Sequence, residues 1–147
     1  MSDTDQVTRL FTIDEANATL SVIRPDIEDL LGTFKEIRAE IEAAATEAGV
    51  PIDSADLPKR LETRGVAPKL FEKVRSIIGG IHARGCLVNG PEAGLVDFPC
   101  LYDKEIVFLC WKHGEPRVSH WHRIPDGFAG RRPLLDASEI ETGGPVH

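Results

Sequence analysis

Residues 95–124 read LVDFPCLYDKEIVFLCWKHGEPRVSHWHRI, and this stretch decides the fold class. Apolar and polar side chains alternate along it in three segments, which are Leu95–Pro99, Glu105–Trp111 and Arg117–Ile124. Such alternation is typical of β-strands, and the short polar connections at 102–104 and 113–116 are typical of turns. The stretch therefore predicts an antiparallel β-meander, which we extend to residues 86–124 because Cys86–Val88 suits a short edge strand.

A long amphipathic helix is predicted upstream, over residues 12–48. Thr12 and Glu15 have the spacing of a capping box, in which each side chain accepts the other residue's backbone N–H. Pro25 either kinks this helix on the face opposite the seam or begins a second helix in the same register. Apolar residues recur at alternating steps of three and four, as in a helix packed along one seam: Ile13, Ala16, Leu20, Ile23, Ile27, Leu30, Phe34, Ile37, Ile41, Ala44 and Ala48.

The remaining segments complete one domain over residues 1–147. We predict a mobile polar connection over 49–66, a second helix over 67–82, and a loop and tail over 125–147. Two helices with apolar stripes joined by one connection predict an antiparallel hairpin. The predicted fold class is α+β, a long antiparallel helical hairpin packed on a small antiparallel β-meander.

The bulk composition excludes several classes of protein. The net charge is −7 at pH 7, which argues against nucleic-acid binding. No apolar run has the length of a membrane span, and the polar N-terminus does not resemble a secretory signal, so we expect a cytoplasmic protein without membrane contact. The three cysteines include no CxxC pair, and we expect free, buried thiols.

The polar residues of the meander suggest a metal site. His120 and His122 lie two residues apart on one strand, Asp97 interrupts an apolar strand, and Glu115 precedes the histidines. Mixed nitrogen and oxygen ligands of this kind suit Zn, Fe or Mn. The structural alternative pairs Asp97 with Arg123 or Arg131 and uses Glu115 to cap its own hairpin.

Side-chain alternation predicts which residues share a face of the sheet. If the 113–116 connection leaves an even number of unpaired residues, Trp111 shares a face with His120 and His122. Cys110 then shares the other face with Trp121 and is a packed thiol of low reactivity. We expect a pocket that includes Trp111 and Trp121, beside a glycine-hinged loop in which Arg131 binds a small anionic ligand.

The strings FTIDEAN, GLVDFP, VFLCW, GEP, WH and GFAGRRPL together resemble an uncharacterised bacterial family, domain of unknown function 2203. The resemblance covers nearly the whole chain and implies no established activity. His120 departs from the family pattern, so the resemblance favours Asp97, Glu115 and His122 as ligands, with His120 as an accessory. The matching positions are Asp97, Phe98, Pro99, Cys110, Trp111, Gly114, Glu115, Trp121, His122, Gly127, Gly130 and Arg131.

Two functions remain open from the sequence. The first is a metal-binding protein or metal-dependent enzyme with its pocket on the meander. The second is a non-catalytic homodimeric interaction module or small-anion-binding module.

A homodimer is expected because a helix of about 50 Å is longer than strands of about 17 to 23 Å and extends beyond the sheet. The excess length would expose Phe34, Ile37 and Ile41 as one apolar patch.

Overall fold

The computed structural model describes residues 7–134 and has the predicted α+β composition. None of the helices in this part of the chain combines the length and apolar content that a membrane crossing requires. The helices are α1 (Ile13–Ala48), α2 (Leu57–Arg64) and α3 (Ala67–His82). The strands are β1 (Leu87–Gly90), β2 (Leu95–Tyr102), β3 (Glu105–Lys112), β4 (His120–Arg123) and β5 (Arg132–Pro133).

Helix α1 runs without a break through Pro25, which resolves the choice that the sequence left open. Thr12 and Glu15 form the predicted capping box, with Glu15 N donating to Thr12 Oγ1 at 3.0 Å and Thr12 N donating to Glu15 Oε1 at 2.9 Å. Pro25 is exposed, so its missing N–H and its ring fall on the side away from the core. Gly49 ends the helix in the left-handed conformation at φ 68°.

The segment 49–66, predicted as a connection, contains the additional helix α2. Leu57 and Leu61 pack there against Ala44 and Ala45 near the end of α1, forming a small second core. Eight residues are too few for a periodic signal, and the packing against α1 supplies the stability that the local sequence lacks.

The exposed apolar patch predicted at Phe34, Ile37 and Ile41 is wrong for one residue, since Ile37 is only 6% exposed.

The sheet is an antiparallel meander, as the alternation predicted, with five strands in the order β1-β2-β3-β4-β5. Strand β5 lies in the segment 125–147 that was predicted as a loop and tail, and the part of that segment after residue 134 lies outside the described residues. Strands β2 and β3 are joined by a two-residue turn at Asp103 and Lys104, both with positive φ. Such turns match the twist of paired strands and fix their register. Asp97 therefore lies directly opposite Cys110.

The two faces of the sheet have different surroundings. One face joins α1 and α3 in the main core, and its buried residues include Phe98, Leu109, Trp111 and Trp121. The predicted partition of side chains was wrong, because Leu109 pairs with Trp121 and Cys110 pairs with His120. The prediction assumed an even number of unpaired residues between β3 and β4, but an odd number of residues separates Cys110 from its partner His120. The side chains of β4 therefore lie on the faces opposite to those predicted.

Candidate functional site

Asp97, Cys110 and His122 meet on the face of the sheet that points away from α1 and α3. They come from three successive strands, β2, β3 and β4, in which Cys110 opposes Asp97 and His122 opposes Phe108. Their exposed fractions are 3%, 1% and 4%. One potential ligand atom from each lies within 4.8 Å of the other two, so this is a compact buried group.

The hydrogen bonds of His122 determine which ring nitrogen faces the group. Nδ1 lies 2.8 Å from the carbonyl oxygen of Arg123, which can only accept, so Nδ1 carries a hydrogen. Nε2 lies 3.3 Å from Asp97 Oδ1. If Nε2 carried no hydrogen, its lone pair would face a carboxylate oxygen. The arrangement therefore requires a proton or a metal ion, either on His122 Nε2 or Asp97 Oδ1 or between them.

In the metal-free protein a proton meets this requirement. Burial acts to lower the pKa of His122, but hydrogen bonds to Asp97, Cys110 and the Arg123 carbonyl, together with the Asp97 charge, raise it to about 10. Asn89 Nδ2 donates to the second oxygen of Asp97. The buried carboxylate is thus bound on both oxygens, as a desolvated charge requires.

Glu115 does not join Asp97 and His122, contrary to the grouping predicted from the sequence. Its carboxylate accepts two hydrogen bonds from the Arg131 guanidinium, at 3.0 and 2.7 Å, and a third from Lys112 N at 2.8 Å. Burial raises the pKa of Glu115, but the bonds from Arg131 and Lys112 outweigh it and the net shift is downward. The Lys112 bond is the hairpin cap of the structural alternative, whereas Asp97 pairs with neither Arg123 nor Arg131.

His120 and Arg131 complete this second cluster. His120 Nδ1 lies 3.6 Å from Glu115 Oε2. The hydrogen bonds that Arg131 donates to Glu115 raise the pKa of Arg131, with a smaller contribution from Cys110. Arg131 therefore holds a carboxylate, as the loop sequence suggested, but the carboxylate belongs to the same chain.

Replacing Glu115 with glutamine should lower the free energy of unfolding by about 1–2 kcal/mol at neutral pH. The reason is that Arg131 loses a charged carboxylate that accepts two of its hydrogen bonds. Since the folded-state pKa of Glu115 lies below its ordinary 4.5, the wild type's advantage is present above that value. It should disappear as the pH falls through the lowered pKa. Urea denaturation at about pH 7 and about pH 3.5 measures the difference.

Glu105→Gln is the matched control, since Glu105 forms a more exposed single bond to Arg123 at 3.3 Å. Exposed ion pairs contribute little, so this variant should stay close to the wild type at both pH values. Equal losses in the two variants would contradict the structural role assigned to Glu115.

The two tryptophans predicted to line a pocket lie instead on the face covered by the helices. Trp111 is fully buried, and its Nε1 donates to the backbone oxygen of Glu115 at 2.9 Å. The guanidinium groups of Arg123 and Arg132 lie 5.8 and 5.6 Å from the centre of the Trp121 ring. Its buried Nε1 has no hydrogen-bond partner among the described residues. Both rings support the sheet from the core side.

A cavity of about 250 Å³ lies over Asp97, Cys110 and His122. All three side chains line it, together with Asn89 from β1 and apolar side chains of the sheet and of the segment after β4. Two short 3-10 helices, Ile124–Asp126 and Phe128–Gly130, form that segment. The three polar groups thus line one small, partly open cavity.

Sequence reasoning missed two residues of this site, Cys110 and Asn89. A signal for Cys110 was present, because a two-residue turn at Asp103 and Lys104 places Cys110 opposite Asp97. Asn89 had no such signal, since a shift in pairing between Val88 and Gly90 interrupts the alternation on β1.

The chain matches a known protein family. The sequence pattern of a family described as an uncharacterized conserved protein, DUF2203, matches residues 9–134. No curated protein and no solved structure matches the chain. The resemblance noted from the sequence motifs is therefore confirmed for this family.

Proposed function

This chain belongs to the DUF2203 family, and we propose that it binds one divalent metal ion through Asp97 Oδ1, Cys110 Sγ and His122 Nε2. The observation that carries the proposal is the contact between His122 Nε2 and Asp97 Oδ1 at 3.3 Å, with the Nδ1 hydrogen already committed to a backbone carbonyl. Metal-binding histidines use this arrangement, in which the second ring nitrogen donates to a carbonyl or carboxylate.

The spacing of the three groups supports a tetrahedral ion. Metal–ligand bonds of about 2.0–2.3 Å at tetrahedral angles place ligand atoms about 3.3–3.8 Å apart. The Nε2 to Oδ1 distance of 3.3 Å already has this value. All three ligand atoms lie within 4.8 Å of one another, so the Cys110 sulfur needs only a small movement to reach the same ion. The bond from Asn89 to the other oxygen of Asp97 orients the carboxylate.

The ligand types favour zinc or ferrous iron among the metals expected from the sequence. A thiolate is a soft ligand that suits zinc and iron better than manganese, and an imidazole suits all three. The Cys110 thiolate and the Asp97 carboxylate would neutralise a bound divalent ion, so the buried centre would carry no net charge. Three protein ligands leave one position for water or a substrate, as in catalytic zinc sites rather than closed structural ones.

Zinc should raise the melting temperature of protein that was purified without a metal-affinity tag and treated with chelator. Zinc at about 100 times its dissociation constant adds about 2.7 kcal/mol, or about 5–10 °C for a domain of this size. Differential scanning fluorimetry with Zn, Fe(II) and Mn measures the shift, and elemental analysis identifies the metal retained after purification.

Cys110→Ala should abolish the zinc response, whereas Cys100→Ala should keep it, because Cys100 is equally buried but belongs to the core shared with the helices. Cobalt(II) gives a second measurement, since a cobalt–thiolate bond produces a charge-transfer absorption band that only the Cys110→Ala variant should lose. A wild type whose melting temperature ignores chelator and all three metals would end the proposal.

We also propose that α1 and α3 pack as an antiparallel pair, that the chain forms a homodimer through these helices, and that it acts in the cytoplasm. Support for the dimer comes from a groove beside α1 that Leu31, Phe34 and Ile41 line, with Lys35, Arg38, Glu42 and Glu92 around it. Charges of both signs let a two-fold related copy place acids against bases. Light scattering at tens of micromolar tests this proposal, and a monomer there would overturn it.

A further inference from the structure

The cavity over the proposed metal ligands limits the size of what can reach the ion. Its volume of about 250 Å³ is below the range of about 300–1,000 Å³ found for drug-sized ligands. Because Asp97, Cys110 and His122 all line it, an ion held by them would be accessible to a ligand in this space. A molecule in the cavity would therefore be small and would contact the ion directly.

The charges around the cavity favour an uncharged ligand. A divalent ion, the Cys110 thiolate and the Asp97 carboxylate sum to zero, and the nearby Arg131 is neutralised by Glu115. An anionic fourth ligand would bring an uncompensated charge into a buried site, which costs far more than burying a neutral oxygen donor. The favoured head group is therefore the oxygen of an alcohol, a carbonyl compound or an amide.

The walls favour an apolar body on that head group. Leu95, Phe108, Ile124 and Phe128 line the cavity, and Asn89 is the one amide side chain among its lining residues within the described part of the chain. The Asn89 amide nitrogen already donates to Asp97. Each methylene group that leaves water for such a surface contributes about 0.8 kcal/mol.

Phe128 is the wall residue that can be removed with least damage to the fold. Phe128 is 39% exposed, and the Arg131 guanidinium carbon lies 4.4 Å from its ring centre. It follows Gly127, whose φ of 62° favours glycine and sets the direction of the segment. The ring therefore covers the cavity without belonging to the main core.

We propose that this cavity binds a small neutral oxygen-donor molecule with a short apolar body, an alcohol, a carbonyl compound or an amide, as the fourth ligand of the metal. The inference rests on the proposed metal site. Phe128 is assigned to hold the apolar body, and the ion is assigned to hold the oxygen.

The test uses the full chain loaded with cobalt(II) and three probes. Isobutyramide has a neutral head and an apolar body, acetamide has the same head without that body, and isobutyrate has the same body with an anionic head. Isobutyramide should change the visible cobalt absorption in a saturable way. Acetamide should bind about tenfold more weakly, because two carbon atoms are missing. Isobutyrate should also bind more weakly than isobutyramide.

Phe128→Ala should weaken isobutyramide binding about tenfold and leave the cobalt–thiolate band unchanged. Phe71→Ala is the matched control, since Phe71 is similarly exposed on α3 and does not line the cavity; it should bind isobutyramide like the wild type. If the thiolate band never forms, the metal proposal fails and this inference fails with it. If the band forms but isobutyramide leaves the visible spectrum unchanged, or all three probes bind equally, only this inference is overturned.

Discussion

Replacing Asp97 with alanine should lower the free energy of unfolding of the metal-free protein by about 3–5 kcal/mol, because His122 loses the buried carboxylate that stabilises its protonated form. His122 and Asp97 are only 4% and 3% exposed, so bulk solvent screens their contact weakly. The Asn89 amide also loses its acceptor. Urea denaturation in the presence of chelator, at about pH 7, measures the loss without a contribution from bound metal.

The double variant with His122→Ala distinguishes this interaction from simple loss of volume. If the two side chains stabilise each other, the double variant should cost less than the sum of the single variants by about 1–3 kcal/mol. Additive costs would mean that Asp97 and His122 make no mutual contribution and would contradict the pairing seen at 3.3 Å.

Replacing Trp111 with alanine should cost about 3–5 kcal/mol, the usual range for removing a large buried aromatic side chain. Trp111 is fully buried in the core shared by the sheet and the helices, and the Arg24 guanidinium from α1 lies 5.5 Å from its ring centre. Its indole N–H also satisfies the backbone oxygen of Glu115 at 2.9 Å. Chemical denaturation followed by circular dichroism measures the loss.

Phenylalanine at each tryptophan position separates packing from hydrogen bonding. Trp111→Phe should cost about 1–3 kcal/mol beyond the loss of ring volume, because the Glu115 carbonyl loses its donor. Trp121→Phe should cost clearly less, since the Trp121 N–H is buried and has no partner among the described residues. A larger loss for Trp121→Phe than for Trp111→Phe would show that the hydrogen bond assigned to Trp111 is unimportant.

Local signals in the sequence determined the helix α1 and the first part of the sheet. The capping box at Thr12 and Glu15 and the spacing of apolar residues predict α1 because both act within a few turns of one helix. The turn at Asp103 and Lys104 determines the pairing of β2 with β3, and so the position of Cys110 opposite Asp97. That half of the candidate site was therefore accessible from the sequence, although the prediction overlooked Cys110.

Only the tertiary structure decided which face of the sheet carries His122. The segment between β3 and β4 is irregular. The local sequence does not determine whether an odd or an even number of residues separates a residue of β3 from its partner on β4. A change of one residue moves every side chain of β4 to the opposite face. The choice depends on distant contacts, such as the bond from Val118 N to Asn17 Oδ1 at 2.8 Å and the burial of Trp121 in the core. These contacts join residues about a hundred positions apart, and they place His122 beside Asp97 and Cys110.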